Sequence, residues 1–454
     1  MEMEEVAKEE NLKRAFEAVA ANDGAPGPSR QTIAEVREHL REILPGLASE
    51  LLAGTYRPGM IRRVWIPKPG GGQRGLGIPD VVDRMVQQAV YQVMSPHWEP
   101  TFHGSSHGFR PGRSCHTAIT EAASYLEEGH EWVVDLDLEK FFDRVHHERL
   151  LARLGRKVSD RRLLQLIRRM LKAKVVMPDG VVVSSEEGTP QGGPLSPLLS
   201  NIVLDELDWE LARRGHRFVR YADDCNIYVR SCRAGERVMA SISRFIEKKL
   251  RLTVNQAKSA VAKPEERHFL GFRLRREPES GDAEVLLSQR SLRRIAAKIR
   301  ALTPRNWGQS LAGCIDRINA YARGWIGFFR IVTRAEERTL GALDAHIRRR
   351  LRAIILRHWK RKRTIAKRLI TLGVGRKAAW GGVYRGQRGP WALSHSQAVD
   401  RGLRNAYFAE RGLVSLLERW RVHHSRSSVV PKQLRLSFGR AVGENAGTGL
   451  QPCG

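Results

Sequence analysis

The chain holds 454 residues, with 78 Lys+Arg against 49 Asp+Glu, a formal net charge of +29. Domains run to about 100–200 residues, so the length predicts two or three packed units, and a 41% hydrophobic content rules out a disordered polycation. Five cysteines (Cys115, Cys225, Cys232, Cys314 and Cys453) show neither CxxC pairs nor regular spacing, which argues against a disulfide scaffold or a zinc finger and fits a reducing compartment. The N-terminus is charged and no apolar run approaches the length of a membrane span, so the expectation is a soluble, cytoplasmic protein.

In chain order, residues 5–20 and 31–53 carry apolar residues at helical spacing on either side of the turn-rich NDGAPGPS. Arg62 to Pro79 reads as two short strands joined by a Gly-rich loop, and 80–95 as a helix. WVVDLDLEKFF predicts a buried strand passing into a helix, and HRFVRYADDCNIYVRS a hairpin with its tip at Ala222-Asp223-Asp224. Mixed strands and helices persist to about residue 275, and after Ser291 the pattern is almost wholly helical.

Charge changes where the pattern changes. From Ser291 onward there are 34 basic and 8 acidic residues, a net of +26, whereas the rest of the chain carries only +3. Such a block calls for a polyanion, because each neutralised phosphate releases condensed counterions. Six of the ten tryptophans lie in this third, which suits stacking on bases as well as core packing. A domain boundary is expected near residue 288, and the tail from about 426 reads as poorly ordered.

Asp223 and Asp224 sit side by side in a basic neighbourhood of Arg213, Arg214, Arg217, Arg220, Arg230 and Arg233. Adjacent carboxylates repel, and a bound divalent cation offsets that repulsion; Asp is also a common turn residue with no ligand at all. Asp135 and Asp137 strengthen the metal reading, since a buried strand has little reason to carry charge unless it feeds a site. Oxygen donors without His or Cys point to Mg²⁺ rather than zinc.

Tyr221-Ala222-Asp223-Asp224 is the YADD box of reverse transcriptases, and the blocks around it resemble the group II intron-encoded type. These are YRPGMIRRVWIPKPGGGQRGLGIP, VVDRMVQQA, SHGFRPGRSCHTA, VVDLDLEKFFDRVHH, GTPQGGPLSPLLSNIVLDELD, LTVNQAKS, FLGF and the maturase-like RINAYARGWIGFF, in the family's order. The closing RGPWALSHSQAVDRGLRNAYFAERGLVSLLERW resembles the C-terminal DNA-binding region of the compact bacterial class C, which lacks an endonuclease domain. One departure stands before the fingers, where GAPGPSR replaces the family's usual GAPGxDG.

The resemblance implies an α/β (α+β) right-hand polymerase with fingers and a palm built on an antiparallel sheet, followed by an all-helical thumb/maturase domain. The implied divisions are 1–85 for the N-terminal extension and fingers, 86–288 for the palm with remaining fingers elements, 289–365 for the thumb and maturase domain, and 366–425 for DNA binding. It implies catalytic roles for Asp137, Asp223 and Asp224, with Lys258 as general acid for the leaving pyrophosphate, and a metal set of Asp137, Leu138, Asp223 and Asp224 holding two Mg²⁺ ions, with Mn²⁺ as a substitute. Lys68 and Arg74 match residues that clamp the incoming triphosphate, Phe142 the steric gate against a 2′-OH, and Gln191 a residue beside sugar and template. The basic run RRRLRAIILRHWKRKRTIAKR marks Arg348, Arg349, Arg350, Arg361, Lys362, Arg363, Lys367 and Arg368 for RNA or DNA, its cations lying on more than one helical face.

The expected function is an RNA-directed DNA polymerase that binds intron RNA as a maturase and copies it during retrohoming, with dNTPs, primed RNA template and target DNA as partners. Two alternatives stay open: a free-standing, domesticated reverse transcriptase in repair or defence, and an RNA-binding splicing factor without polymerase activity.

Overall fold

The computed structural model describes residues 1–67, 71–184, 187–189, 192–304, 308, 310–385 and 389–427. Lys68, Gln191 and, within the tail expected to be poorly ordered from about 426, the residues from 428 on lie outside the described residues. The chain divides into two compact units, one of Met1–Leu270 with Leu274–Ala283, the other of Gly271–Arg273 with the chain from Glu284 onward.

In the first unit, helices Glu9–Ala21 and Leu40–Ala53 bury Leu12, Phe16, Val19, Leu44, Leu47 and Leu51 on one face each, as their apolar spacing requires. They share one core with helix Val81–Trp98, which buries Met85, Val86, Ala89, Val90 and Met94. The GAPGPSR turn is pinned to the start of that helix: Ser29 Oγ donates to Asp80 Oδ1 at 2.7 Å, and Arg84 Nη2 donates to the Ala25 carbonyl at 3.0 Å.

The strands are β1 (Ile61–Pro67), β2 (Gln73–Ile78), β3 (Trp132–Leu136), β4 (Val175–Val176), β5 (Val182–Val183), β6 (Arg217–Tyr221), β7 (Asp224–Val229), β8 (Ala260–Ala262), β9 (Phe272–Arg276) and β10 (Ala283–Leu287). The expected pair at 62–79 is the antiparallel β1–β2 hairpin, from Arg62 opposite Ile78 to Pro67 opposite Gln73, extended in the order β2-β1-β4-β5. A second sheet, β6-β7-β3-β8, is antiparallel throughout. Strand alternation turns Val134 and Leu136 into the core and leaves Val133, Asp135 and Asp137 on the other face.

The strand at 132 does not pass into an α-helix as expected. Beyond Leu136 the chain stays extended, because Asn255 N donates to the Asp137 carbonyl at 2.8 Å and Glu139 N to the Thr253 carbonyl at 2.8 Å. A single 3-10 turn, Phe141–Asp143, follows before helix His147–Leu154.

In the second unit the described chain beyond β10 is helical, led by Gln289–Leu302, Leu311–Phe329, Glu337–His358, Lys362–Thr371 and Leu416–Ser427. Buried Asp344 of the third accepts hydrogen bonds from Ser415 Oγ (2.6 Å), Leu416 N (2.9 Å) and Leu417 N (3.2 Å), capping the last helix. Trp420 of that helix is 1% exposed, its indole donating to the Val332 carbonyl at 2.8 Å. The basic run at 348–368 is not one helix: Glu337–His358 ends, Lys360 takes a left-handed φ of 55°, and a new helix starts at Lys362. Among the described residues, no helix is long and apolar enough to cross a membrane.

Candidate polymerase active site

The register of the second sheet assembles the acidic residues. β3 and β7 pair from Trp132 opposite Val229 to Leu136 opposite Cys225, so one step further places Asp137 across from Asp224. On the other side β8 pairs Val133 with Ala262 and Asp135 with Ala260, and the turn that leads into β8, closed by Lys258 N on the Asn255 carbonyl, carries Lys258 beside Asp137. Lys258 Nζ lies 3.5 Å from Asp137 Oδ2, and Asp137 N donates to Ser259 Oγ at 3.0 Å. Three distant stretches, VVDLDLEKFFD, YADD and LTVNQAKS, thus meet at one end of one sheet. Asp135, on the same face, is matched by Arg267 at 2.6 Å and is a structural ion pair.

β6 and β7 join through Ala222 and Asp223, with Tyr221 and Asp224 as the closing pair, so Asp224 opens the return strand rather than lying in the tip. Ala222 holds a φ of 58°, a left-handed conformation costly for a residue with a Cβ. Arg220 offsets that cost. It is 1% exposed, its guanidinium forks onto Asp208 (Nε–Oδ1 2.7 Å, Nη2–Oδ2 2.6 Å), and it donates to Asn201 Oδ1 (3.0 Å), Ser106 Oγ (2.7 Å) and the Ala222 carbonyl (2.8 Å). Gly108 lies so close to the turn that a Cβ there would overlap the Ala222 main-chain nitrogen.

Of the arginines taken as a basic neighbourhood for the acidic pair, only Arg220 faces the turn. Arg217 and Arg230 lie at the far end of the same hairpin, and Arg213 and Arg214 pair with Glu210 at 2.8 and 2.6 Å. The sequence reading missed the Arg220 network, although its partners come from two blocks it had marked: Ser106 and Gly108 from SHGFRPGRSCHTA, Asn201 and Asp208 from GTPQGGPLSPLLSNIVLDELD.

The electrostatics follow from crowding. Surrounding protein, then the carboxylates of Asp223, Asp135 and Asp137, push Asp224 up to about 7, against the opposing pull of Lys258. Asp223 is raised chiefly by burial, with Arg74 pulling it down and Asp137 pushing it up, so β2 brings the Arg74 guanidinium within electrostatic reach of the turn. Among the described residues no three His, Cys, Asp or Glu side chains stand close enough together to hold a metal ion. The donor set still fits a hard divalent cation: it is all oxygen, mutually repelling, and offset at close range by the ammonium of Lys258.

Phe142 is 7% exposed and packs edge-on against Phe141 with ring centroids 5.2 Å apart. Its carbonyl accepts from Thr189 N at 2.6 Å, and Gly188, with a φ of 94°, leaves no room for a Cβ against the Phe142 and Asp143 backbone. This ties the GTPQGG segment to the Phe142 turn. Arg348, Arg349 and Arg350 are half-buried, and the Arg349 guanidinium stacks 4.3 Å from the Trp391 ring centroid; Arg361, Arg363, Lys367 and Arg368 are exposed.

A two-stranded acidic hairpin opposed by a third carboxylate in a central antiparallel sheet is the arrangement of a polymerase palm. In agreement, residues 66–274 match the family model "Reverse transcriptase (RNA-dependent DNA polymerase)" and residues 292–370 match "Group II intron, maturase-specific domain". The chain is 34% identical over 341 residues to Protein YkfC of Escherichia coli (strain K12), covering 65% of this chain and 89% of that protein. It is 38% identical over 188 residues to the group II intron-encoded protein LtrA of Lactococcus lactis subsp. cremoris, covering 41% of this chain but only 29% of LtrA. Among solved structures, a partial Cas6-RT-Cas1–Cas2 complex aligns over 53% of this chain and 42% of that one, at 24% identity and a TM-score of 0.35. The chain belongs to the reverse transcriptase family, in the branch encoded by group II introns and carrying their maturase domain. Members of this family are RNA-directed DNA polymerases that use divalent metal ions, nucleotides and nucleic acid.

Proposed function

We propose that the chain copies its group II intron RNA into DNA during retrohoming and binds that RNA as a maturase, with Asp137, Asp223 and Asp224 as the catalytic carboxylates. The observation that carries this reading is the register of β3 and β7, which sets Asp137 opposite Asp224 with Asp223 in the adjoining turn. These carboxylates, with the main-chain carbonyl of Leu138, would hold two Mg²⁺ ions, or Mn²⁺ in their place. Such a pair activates an attacking 3′-hydroxyl and stabilises the leaving pyrophosphate. Lys258, held beside Asp137, would give a proton to that pyrophosphate. Lys68, Arg74 and Gln191 would bind the nucleotide, and Phe142 would stand against a 2′-OH.

The finer divisions belong to the same reading: fingers to about residue 85, palm to 288, thumb and maturase domain to 365, and a DNA-binding region from 366 to 425. Arg348, Arg349, Arg350, Arg361, Lys362, Arg363, Lys367 and Arg368 would contact RNA or target DNA, and the setting would be the bacterial cytoplasm, on the nucleoid when DNA is bound. The test is primer extension on an RNA template. The wild type should extend the primer with dNTPs and Mg²⁺ and stop on chelation. Asp223→Asn and Asp224→Asn should each abolish extension and keep RNA affinity. Extension by Asp223→Asn at the wild-type rate would overturn the assignment, and an inactive wild type that still binds RNA would make the chain a splicing factor alone.

A further inference from the structure

The first unit carries a concentrated cationic cavity away from its acidic turn. The cavity measures about 610 Å³ and is walled by Arg214, Arg217, Arg230 and Arg237, with His130 and His216 at its edge. It lies at the opposite end of the β6–β7 hairpin from Asp223 and Asp224. Six residues separate Asp224 from Arg230, which at strand rise is roughly 20 Å.

The charge here is not a by-product of a basic chain, since everything before Ser291 nets only +3. Two of the four guanidiniums are fixed as walls: Arg214 pairs with Glu210 at 2.6 Å and reaches Ser241 Oγ at 3.3 Å, and Arg217 pairs with Glu128 at 3.1 Å. Arg230 and Arg237 are exposed and make no ion pair or hydrogen bond among the described residues. Arg230 and Arg237 thus leave positive charge on one concavity with no carboxylate partner among the described residues, and a phosphate anion would offset it.

The lining also indicates which part of a nucleic acid it suits. Its tyrosine, Tyr228, is 2% exposed, so the rings it offers a base are the half-buried imidazoles of His130 and His216, with no large aromatic face. A lining of four guanidiniums without a tryptophan or an accessible tyrosine suits backbone phosphates, which position a nucleic acid without reading its sequence. We propose that this cavity is an RNA-anchoring site, in which Arg230 and Arg237 contact the phosphate backbone of a base-paired segment of the bound intron RNA, separately from the polymerase site. The proposal rests on the reading that the chain binds intron RNA, and it adds where, on the polymerase unit itself, that RNA is gripped.

The test uses the full chain and two probes, a 20-base-pair RNA duplex and the DNA duplex of the same sequence, titrated by filter binding at several salt concentrations. Arg230→Gln/Arg237→Gln should weaken RNA duplex binding about tenfold at low salt and lower the log–log salt slope by about 1.4 to 1.8, at roughly 0.7 to 0.9 per phosphate contact. Arg230→Lys/Arg237→Lys should restore most of the slope, because the charge remains. Extension of a short primer on a short RNA template should be unchanged, since no residue of the acidic site is touched. Unchanged slope and affinity overturn the proposal, as does an affinity loss with no change in slope, which would report damaged packing. Weakening of the DNA duplex alone overturns the RNA assignment and makes the cavity a target-DNA contact. A wild type unable to extend any primer, with the duplex results as expected, sinks the polymerase reading and leaves this site standing.

Discussion

Arg220 stands one residue before the acidic turn's Tyr221, and its five hydrogen bonds end on four buried residues, Asp208, Asn201, Ser106 and Ala222. Removing one member of such a buried ion pair leaves Asp208 uncompensated at a cost of about 3–5 kcal/mol, so Arg220→Ala should fold poorly. Arg220→Lys separates positioning from folding: it keeps the charge but loses the fork that reaches Asp208 and the Ala222 carbonyl together. We expect kcat for primer extension to fall about 10- to 100-fold, with KM for dNTP nearly unchanged and the metal concentration needed for half-maximal rate increased. Wild-type kcat in Arg220→Lys would reduce Arg220 to a purely structural residue. Phe142 has two roles to separate in the same way. Its ring is buried, so Phe142→Ala should cost about 3–5 kcal/mol as a core truncation. If the ring also walls off the 2′-OH, the variant should incorporate ribonucleotides more readily in a competitive extension assay. A destabilised variant with unchanged selectivity would leave Phe142 with packing alone.

At the scale of elements, what the sequence disclosed follows the range of the signal. Alternation of apolar and charged residues marks β3 and the β6–β7 hairpin, and the YADD and VVDLDLEKFF strings mark the carboxylates, because each signal is local. The end of β3 was not legible, since the chain there is held by Thr253 and Asn255, more than a hundred residues away. The break at Lys360 was not legible either: a run of arginines and lysines reads as helix throughout, and nothing in it marks a left-handed residue. Arg220 looked like its five basic neighbours because burial is decided by Asp208 and Asn201, which the helix Ser196–Arg213 supplies to the strand. Two caps test how elements are joined. Asp344→Ala should free three donors at the start of helix Leu416–Ser427 and cost about 1–2 kcal/mol, with faster amide exchange confined to that helix. Asp160 is held down at about 2: burial would raise it, but hydrogen bonds from the Arg162 side chain, Met3 N and Arg162 N prevail. A carboxyl lowered on folding stabilises the fold above its unfolded value of 3.8 and loses that contribution as the pH falls toward 2. The stability gap between wild type and Asp160→Asn, read as urea midpoints, should therefore be constant above pH 5 and narrow below pH 4. Parallel curves down to pH 3 would mean that Asp160 carries no such linkage.

For the whole molecule, the division of charge predicts a division of labour. The chain before Ser291 is nearly neutral and holds the acidic site, while the chain after it carries +26. In the second unit the helix Lys362–Thr371 and its N-cap present Arg361, Arg363, Lys367 and Arg368 to solvent, while Lys362 is half-buried with its ammonium 5.7 Å from the Tyr384 ring centroid. The break at Lys360 puts these cations on a separate helix from Arg348, Arg349 and Arg350, a division that suits a folded RNA better than a linear duplex. Replacing Arg361, Lys362, Arg363, Lys367 and Arg368 together by Gln should weaken intron RNA binding and reduce the salt slope by as much as roughly 3.5 to 4.5, at about 0.7 to 0.9 per contact. Each residue that touches no phosphate shrinks that figure by one such step, so the slope counts the contacts. Primer extension at saturating primer–template should fall much less than affinity, since no carboxylate of the acidic turn is altered. Combining these five changes with Arg230→Gln/Arg237→Gln distinguishes one RNA held at both surfaces from two independent ligands. A single RNA spanning both gives slope losses that add in one titration. Slope losses that never appear with the same RNA would mean that the two basic surfaces serve different nucleic acids.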